Sequence, residues 1–308
     1  IKGDSETHPA LSPDDEFADF ESYGFYLQKT PQDAITTEAD YVRSGLKRGL
    51  EIEKKIGVNP YKFGLIGSTD SHTGLSTAEE DNFWGKFAHD STPDTKRKDI
   101  IGGTKASGWD MSASGLAAVW ADENTRNGIY SAFKRREVYA TSGPRIQVRM
   151  FGGWGFDKKA LQAEDMATYG YQQGVPMGGD LTRPSNQQAK AQFLIRATKD
   201  PTGANLDRVQ VVKGWLDNKG MSHEKVFNVA WSGDRTLKNE LLAPVGDTVN
   251  RQDGSVKNTI GSIELSTIWV DPSFKKEQRA FYYVRVLQVP TARHSLYDAI
   301  ALQIDAPS

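Results

Sequence analysis

The stretch Lys62-Phe63-Gly64-Leu65-Ile66-Gly67-Ser68-Thr69-Asp70-Ser71-His72 decides how the chain is read. Phe63, Leu65 and Ile66 make a short apolar run between Gly64 and Gly67. After a helical segment, such a run predicts a buried strand of an α/β protein. Polar residues then follow abruptly, and in α/β folds the chemistry gathers where strands end on their C-terminal side. Asp70 and His72 stand two apart. If strand geometry continues, both side chains face one side, about 7 Å apart along the chain. A carboxylate oxygen and an imidazole nitrogen so placed reach one divalent metal or two neighbouring ones. The plainer alternative is an Asp that caps the following turn beside an ordinary polar His.

Working back from that stretch, Thr37 to Ile56 is the clearest helix. Thr37 is a capping residue with Asp40 three positions on. Val42, Leu46, Leu50 and Ile56 lie near one stripe, charged residues take the rest, and Gly57 supplies a stop. A helix leading into a buried strand with a polar triplet at its end is one unit of a parallel sheet or barrel. Further back, Lys2 to Pro13 reads as a loop in which Glu6 and His8 again stand two apart. They suit metal ligation or substrate binding, and equally a solvated loop. The acids Asp14, Asp15 and Glu16 fit the start of a short helix.

Working forward, the polar excursion from His72 to Trp109 has the length and position of a lid or binding loop. Asn124 to Glu137 predicts a second helix, and Tyr139 to Arg145 is a turn cluster marking a domain boundary. Beyond it the period changes to two. Ile146, Val148 and Met150 alternate, as do Phe193, Ile195 and Ala197, and four further segments continue to Val289. Strands with turn signals and no helical stripe indicate a β-sandwich-like domain. Arg293 suits bidentate contact with an anionic substrate, or structural salt bridging. His223 falls in a turn without a partner pattern.

Composition excludes several classes. The chain has 308 residues, 37% hydrophobic and 25% charged, and a formal net charge of −2. That leaves no electrostatic footprint for nucleic acid or anionic membrane. No apolar run reaches the ~20 residues of a membrane span. With no cysteine, disulfides, thiolate metal sites and a cysteine nucleophile are excluded.

Three blocks resemble the DUF3604 family: Asn59 to His72, Gly115 to Arg126 continuing through Tyr139 to Arg145, and Phe281 to Gln288 with Arg293 and Tyr297 after it. The family in turn resembles the polymerase-and-histidinol-phosphatase (PHP) class of metal-dependent phosphoesterases, within the amidohydrolase-like group. The resemblance implies an α/β fold: residues 1–143 as the C-terminal part of a distorted PHP-like (β/α) barrel, and residues 144–308 as a mostly antiparallel β-sandwich-like domain. Asp70 and His72 match the class's last metal motif, with Thr69 as an insertion between Ser68 and Asp70. Glu6 and His8 match a mid-domain stretch and become candidate ligands or acid/base groups. The family's N-terminal His-X-His segment is not in the sequence, so the missing N-terminal half of the domain is an expected partner. The implied activity is a metal-dependent hydrolase, first of all a phosphoesterase using metal-activated water, with divalent Zn, Mn, Fe, Mg or Ca as cofactor. Arg145 and Arg293 would neutralise an anionic small-molecule substrate. The alternatives are a carbohydrate-binding protein with Trp109, Trp154 and Trp215 for stacking, or an amide or ester hydrolase. Family members often look exported, which points to the periplasm.

Overall fold

The structure is a computed structural model that describes residues 6–20, 36–74, 79–98, 107–111, 113–162, 165–184, 186 and 188–306. Residues 6–20 form successive turns instead of the expected short helix. Thr37 caps a single 3-10 turn, Glu38–Asp40, in which the Asp40 carboxylate accepts from the Thr37 N–H at 3.0 Å. Tyr41 is extended and breaks the run, so the helix proper, α1, spans Val42–Ile56. Gly57 ends it at φ 81°, a conformation that costs glycine nothing. Val42, Leu46 and Leu50 line a cleft, while the residues buried against the neighbouring sheet include Arg43 and Ser44.

The segment after α1 overturns the barrel. Residues 62–66 form no strand, and Phe63 and Ile66 are 42% and 50% exposed. The segment makes isolated contacts in place of a ladder: the Arg136 guanidinium donates to the Lys62 carbonyl at 3.0 Å, and the Gly67 N–H donates to the Leu116 carbonyl at 3.1 Å. A Cβ on Gly67 would lie 2.6 Å from the Leu116 carbonyl and 2.7 Å from that of Thr141, so only glycine fits there. An apolar run becomes a buried strand only if a ladder forms on it. Two short helices follow, α2 (Pro93–Lys96) and α3 (Gly108–Met111). Next come β1 (Leu116–Val119), α4 (Arg126–Arg135) and β2 (Val138–Thr141). The two strands pair antiparallel as a two-stranded sheet, with Leu116 opposite Thr141. A (β/α) barrel requires parallel neighbours joined by crossover helices. Among the described residues there is no closed barrel, and the sheets are antiparallel.

Described parts of the expected lid are tied to the rest of the protein. Lys96 is buried: its ammonium sits 2.9 Å from Asp298 and donates to the Phe83 carbonyl at 2.7 Å. The Trp109 indole donates to the same Asp298 at 2.8 Å, which accounts for that Trp structurally.

The remaining elements are β3 (Gln147–Gly153), α5 (Met166–Gln173), β4 (Val175–Pro176), β5 (Gln192–Thr198), β6 (Leu206–Leu216), β7 (Ser222–Trp231), β8 (Leu237–Lys238), β9 (Leu241–Leu242), β10 (Glu264–Val270), β11 (Ala280–Gln288) and α6 (His294–Leu302). One sheet has the order β10-β5-β3-β4 and another β11-β6-β7, both antiparallel. Alternation places Ile146, Met150, Phe193, Ile195, Ala197, Val209, Val211 and Leu265 in one core, with Tyr282, Val284 and Val286 of β11 packed against it. Residues of opposite parity on β6 and β11, among them Arg208, Gln210, Tyr283 and Arg285, meet residues 6–20 and α1 on the other face. No helix among the described residues is long and apolar enough to cross a membrane.

Candidate metal centre and the adjoining cleft

Asp70 adopts φ 58°, in the left-handed region. Asp tolerates this better than most residues. The turn brings Asp70 and His72 together more tightly than a strand would: Asp70 Oδ1 lies 3.4 Å from His72 Nε2. Lys86 donates to the other oxygen, Oδ2. Its carbonyl accepts from the His72 backbone N–H at 2.7 Å, so one residue grips both. Lys86 is in turn fixed by Asp90, which is fully buried and accepts from the Lys86 and Phe87 N–H groups. Gly85, at φ 83°, permits the close approach to the Asp90 carbonyl. The Phe87 ring packs edge-on to His72 with centroids 5.0 Å apart.

Two donors on one tetrahedral cation, each about 2.1 Å from it, sit about 3.4 Å apart. The Asp70–His72 pair therefore fits as a two-donor clip, with His72 more than half exposed. Among the described residues, no group of three or more His, Asp or Glu side chains is placed to hold a metal ion. A cation held there would have to take its remaining ligands from water or substrate, as magnesium sites commonly do.

A cleft of about 1740 Å³ ends short of this pair: Asp70, His72 and Lys86 do not line it, although Ser68, two residues before Asp70, does. Gly67 and Ser68 line it, as do Glu6, Arg145 and Arg293. Arg145 pairs with Glu79 at 2.8 Å, and its backbone N–H donates to Asp200 at 2.7 Å. Burial pushes the Asp200 carboxyl up, but the N–H groups of Arg145 and Thr202 outweigh this and hold it below its ordinary value. Arg293 pairs with Glu80 at 2.6 Å, and Glu80 also accepts from the His294 N–H where α6 begins.

Glu6, although it lines the cleft, and His8 do not join Asp70 and His72. Glu6 lies in an ion cluster with Arg43 at 2.5 Å and Arg285 at 3.3 Å, and accepts from the Tyr283 hydroxyl. Asp15 joins Arg43 at 2.8 Å and Arg285 at 2.6 Å, and Glu224 joins Arg43 at 2.9 Å and Lys47 at 2.7 Å. Burial alone would raise the Glu6 carboxyl, but Arg285 and Arg43 outweigh it and hold it below 4.5. This cluster docks residues 6–20 and α1 onto β6, β7 and β11, which gives Glu6 a structural role. His8 Nδ1 accepts from the Ala10 N–H at 3.1 Å, and its ring lies 5.8 Å from Tyr41. No hydrogen bond or ion pair among the described residues joins Glu6 or His8 to Asp70 or His72.

The other aromatics and His223 also have partners. Trp120 donates to the Val148 carbonyl under the Arg149 guanidinium, Trp154 lines the cleft against Phe274, and Trp215 stacks on His223. His223, the second residue of β7 and not in a turn, lies 3.0 Å from Asp217, a contact that with the Met221 N–H holds the Asp217 carboxyl down to about 2. Sequence reasoning missed Lys86, Arg43 and the buried Lys213–Asp271 pair at 2.6 Å. For Arg43 a signal existed: the segment before the helix is rich in acids, Glu6 and Asp15 among them, and the helix is rich in cations.

These features define a strand-rich protein of mixed secondary structure, with an open cleft that carries several charged side chains and a separate Asp–His–Lys cluster. The chain belongs to the family described as protein of unknown function (DUF3604), whose family model matches residues 1–308. No curated protein and no solved structure matches the chain.

Proposed function

We propose that the chain is a divalent-cation-dependent hydrolase acting on an anionic substrate, in the first instance a phosphoester. The observation that carries this reading is the 3.4 Å separation of Asp70 Oδ1 and His72 Nε2, two and four residues along the chain from Ser68 on the cleft wall. Asp70 and His72 would hold the cation, and their mixed donor set suits Zn, Mn or Fe as well as Mg. A bound cation polarises a phosphoryl oxygen and makes water a nucleophile near neutral pH. Lys86 fixes the Asp70 carboxylate through Oδ2, and its carbonyl fixes the His72 backbone. Arg145 and Arg293 give the cleft wall donors for substrate oxygens, once an anion competes with Glu79 and Glu80 for them.

The test is a screen of aryl phosphates, with carboxylic esters and anilides beside them, in Mn²⁺ or Zn²⁺ against chelator. Phosphate release that requires the metal and disappears in Asp70→Ala supports the reading. Turnover confined to esters or anilides transfers it to that bond, and no turnover of any of them contradicts it. A second reading is a non-enzymatic carbohydrate-binding protein. It is favoured by Lys86, whose ammonium satisfies Asp70 without a metal, and by Trp154 and Phe274 on the cleft wall. Metal-independent sugar binding that is lost in Trp154→Ala would select it.

A further inference from the structure

We propose that Lys86 is a built-in competitor of the divalent cation: its ammonium holds the Asp70 carboxylate, and the cation binds fully only when that ammonium moves off. The inference rests on the reading of Asp70 and His72 as cation ligands, and concerns what controls their occupation.

Lysine is rarely buried without a partner. Here the Lys86 side chain is 8% exposed, and its ammonium contacts Asp70 Oδ2. The position is imposed by the backbone. Gly85 is left-handed, the Asp90 carboxylate takes the N–H groups of Lys86 and Phe87, and the Lys86 carbonyl takes the His72 N–H. The ammonium therefore sits on one oxygen of the carboxylate whose other oxygen faces His72 Nε2. A dication against Oδ1 and Nε2 would lie within a few ångströms of a fixed positive charge, and although His72 faces water, the Lys86 side chain is only 8% exposed, so screening on that side is incomplete. The facing charges are Asp70, Asp90 and Lys86 itself. The two carboxylates do not balance a dication plus an ammonium.

An alternative seat exists. The Lys86 ammonium already lies over the Phe87 ring, 5.9 Å from its centroid, and keeps that contact if it moves off Asp70, while His89 stacks on the same ring at 5.2 Å. Removing the ammonium should therefore tighten the cation. A purely structural Lys86 would do the reverse, because its loss would loosen both ligands.

The test is calorimetric titration of Zn²⁺ and Mn²⁺ into the unaltered chain, Lys86→Met, Lys86→Gln, Lys86→Arg and Asp70→Asn, each checked for native circular dichroism. Tightening by tenfold or more in Lys86→Met and Lys86→Gln, but not in Lys86→Arg, with binding lost in Asp70→Asn, is the expected result. If the unaltered chain binds and neither neutral variant binds more tightly, Lys86 is no competitor, although the metal reading stands. If no folded protein binds either metal, the metal reading fails and the inference falls with it. Should the neutral variants not fold, the unaltered chain still decides the matter. Acetylation of Lys86, followed by peptide mass spectrometry, should accelerate several-fold at saturating Zn²⁺, and an unchanged rate overturns the proposal.

Discussion

Arg43 of α1 and Asp15 of the N-terminal turns meet at 2.8 Å with side chains 0% and 2% exposed. The same guanidinium reaches Glu6 and Glu224, and Arg285 closes the ring by pairing with Glu6 and Asp15. Burying such charges is costly, and their mutual geometry compensates only while the set is complete. Arg43→Met leaves three carboxylates around an empty position. It should cost about 3–5 kcal/mol in denaturant unfolding. A loss under 1 kcal/mol would mean that water reaches the cluster.

The same cluster sets an acid limit on stability. Burial raises the carboxyls of Glu6, Asp15 and Glu224, but Arg285 and Arg43 for the first two, and Lys47, Ser12 and Arg43 for the third, bring all three below their ordinary values of 4.5, 3.8 and 4.5. Depressed folded values mean that the unfolded chain binds more protons as pH falls. The stabilisation is thus complete above about pH 4.5 and disappears as pH drops through the folded values. Thermal melts from pH 7 to 3 should show a steep loss below pH 4.5. Arg285→Met should flatten that limb, and an unchanged slope would refute the assignment.

In the other sheet interface, Lys213 and Asp271 are buried, with Ser273 and the Tyr282 hydroxyl as further partners. Lys213→Met should destabilise by about 3–5 kcal/mol by leaving Asp271 uncompensated, whereas Lys213→Met with Asp271→Leu should recover part of that loss. Equal losses in the single and double variants would show that the ammonium is not what Asp271 needs.

Glycines report where the 62–68 segment lies. Gly67→Ala places a methyl against the Leu116 and Thr141 carbonyls and should cost about 1–3 kcal/mol. Gly45→Ala, inside α1 with open space around its Cβ, should stabilise by about 0.5–1 kcal/mol. Melting temperatures that move in the same direction for both would place the segment elsewhere.

Legibility in the sequence followed the range of the interaction. α1, its Gly57 stop and α4 rest on local spacing, and the alternating strands after Ile146 rest on a period that one buried face imposes. The proximity of Asp70 and His72 follows from their spacing, but the geometry behind it does not: a left-handed residue at Asp70 replaces the strand. The error at Phe63 to Ile66 has a physical cause, because burial of an apolar run depends on partners that are not local. Glu6 read as chemistry because its partners, Arg43 and Arg285, are 37 and 279 residues away. Lys86 reaches Asp70 across a loop whose shape depends on buried Asp90 and left-handed Gly85. None of these partners leaves a periodic trace.

The most direct measurement is equilibrium dialysis against Zn²⁺ or Mn²⁺ followed by elemental analysis, on the unaltered chain, Asp70→Ala and His72→Ala. The account predicts one equivalent of bound metal in the unaltered chain and a large fall in both variants, with Glu6→Gln unchanged because Glu6 belongs to the ion cluster. No bound metal in the unaltered chain, or equal amounts in all four proteins, would contradict it.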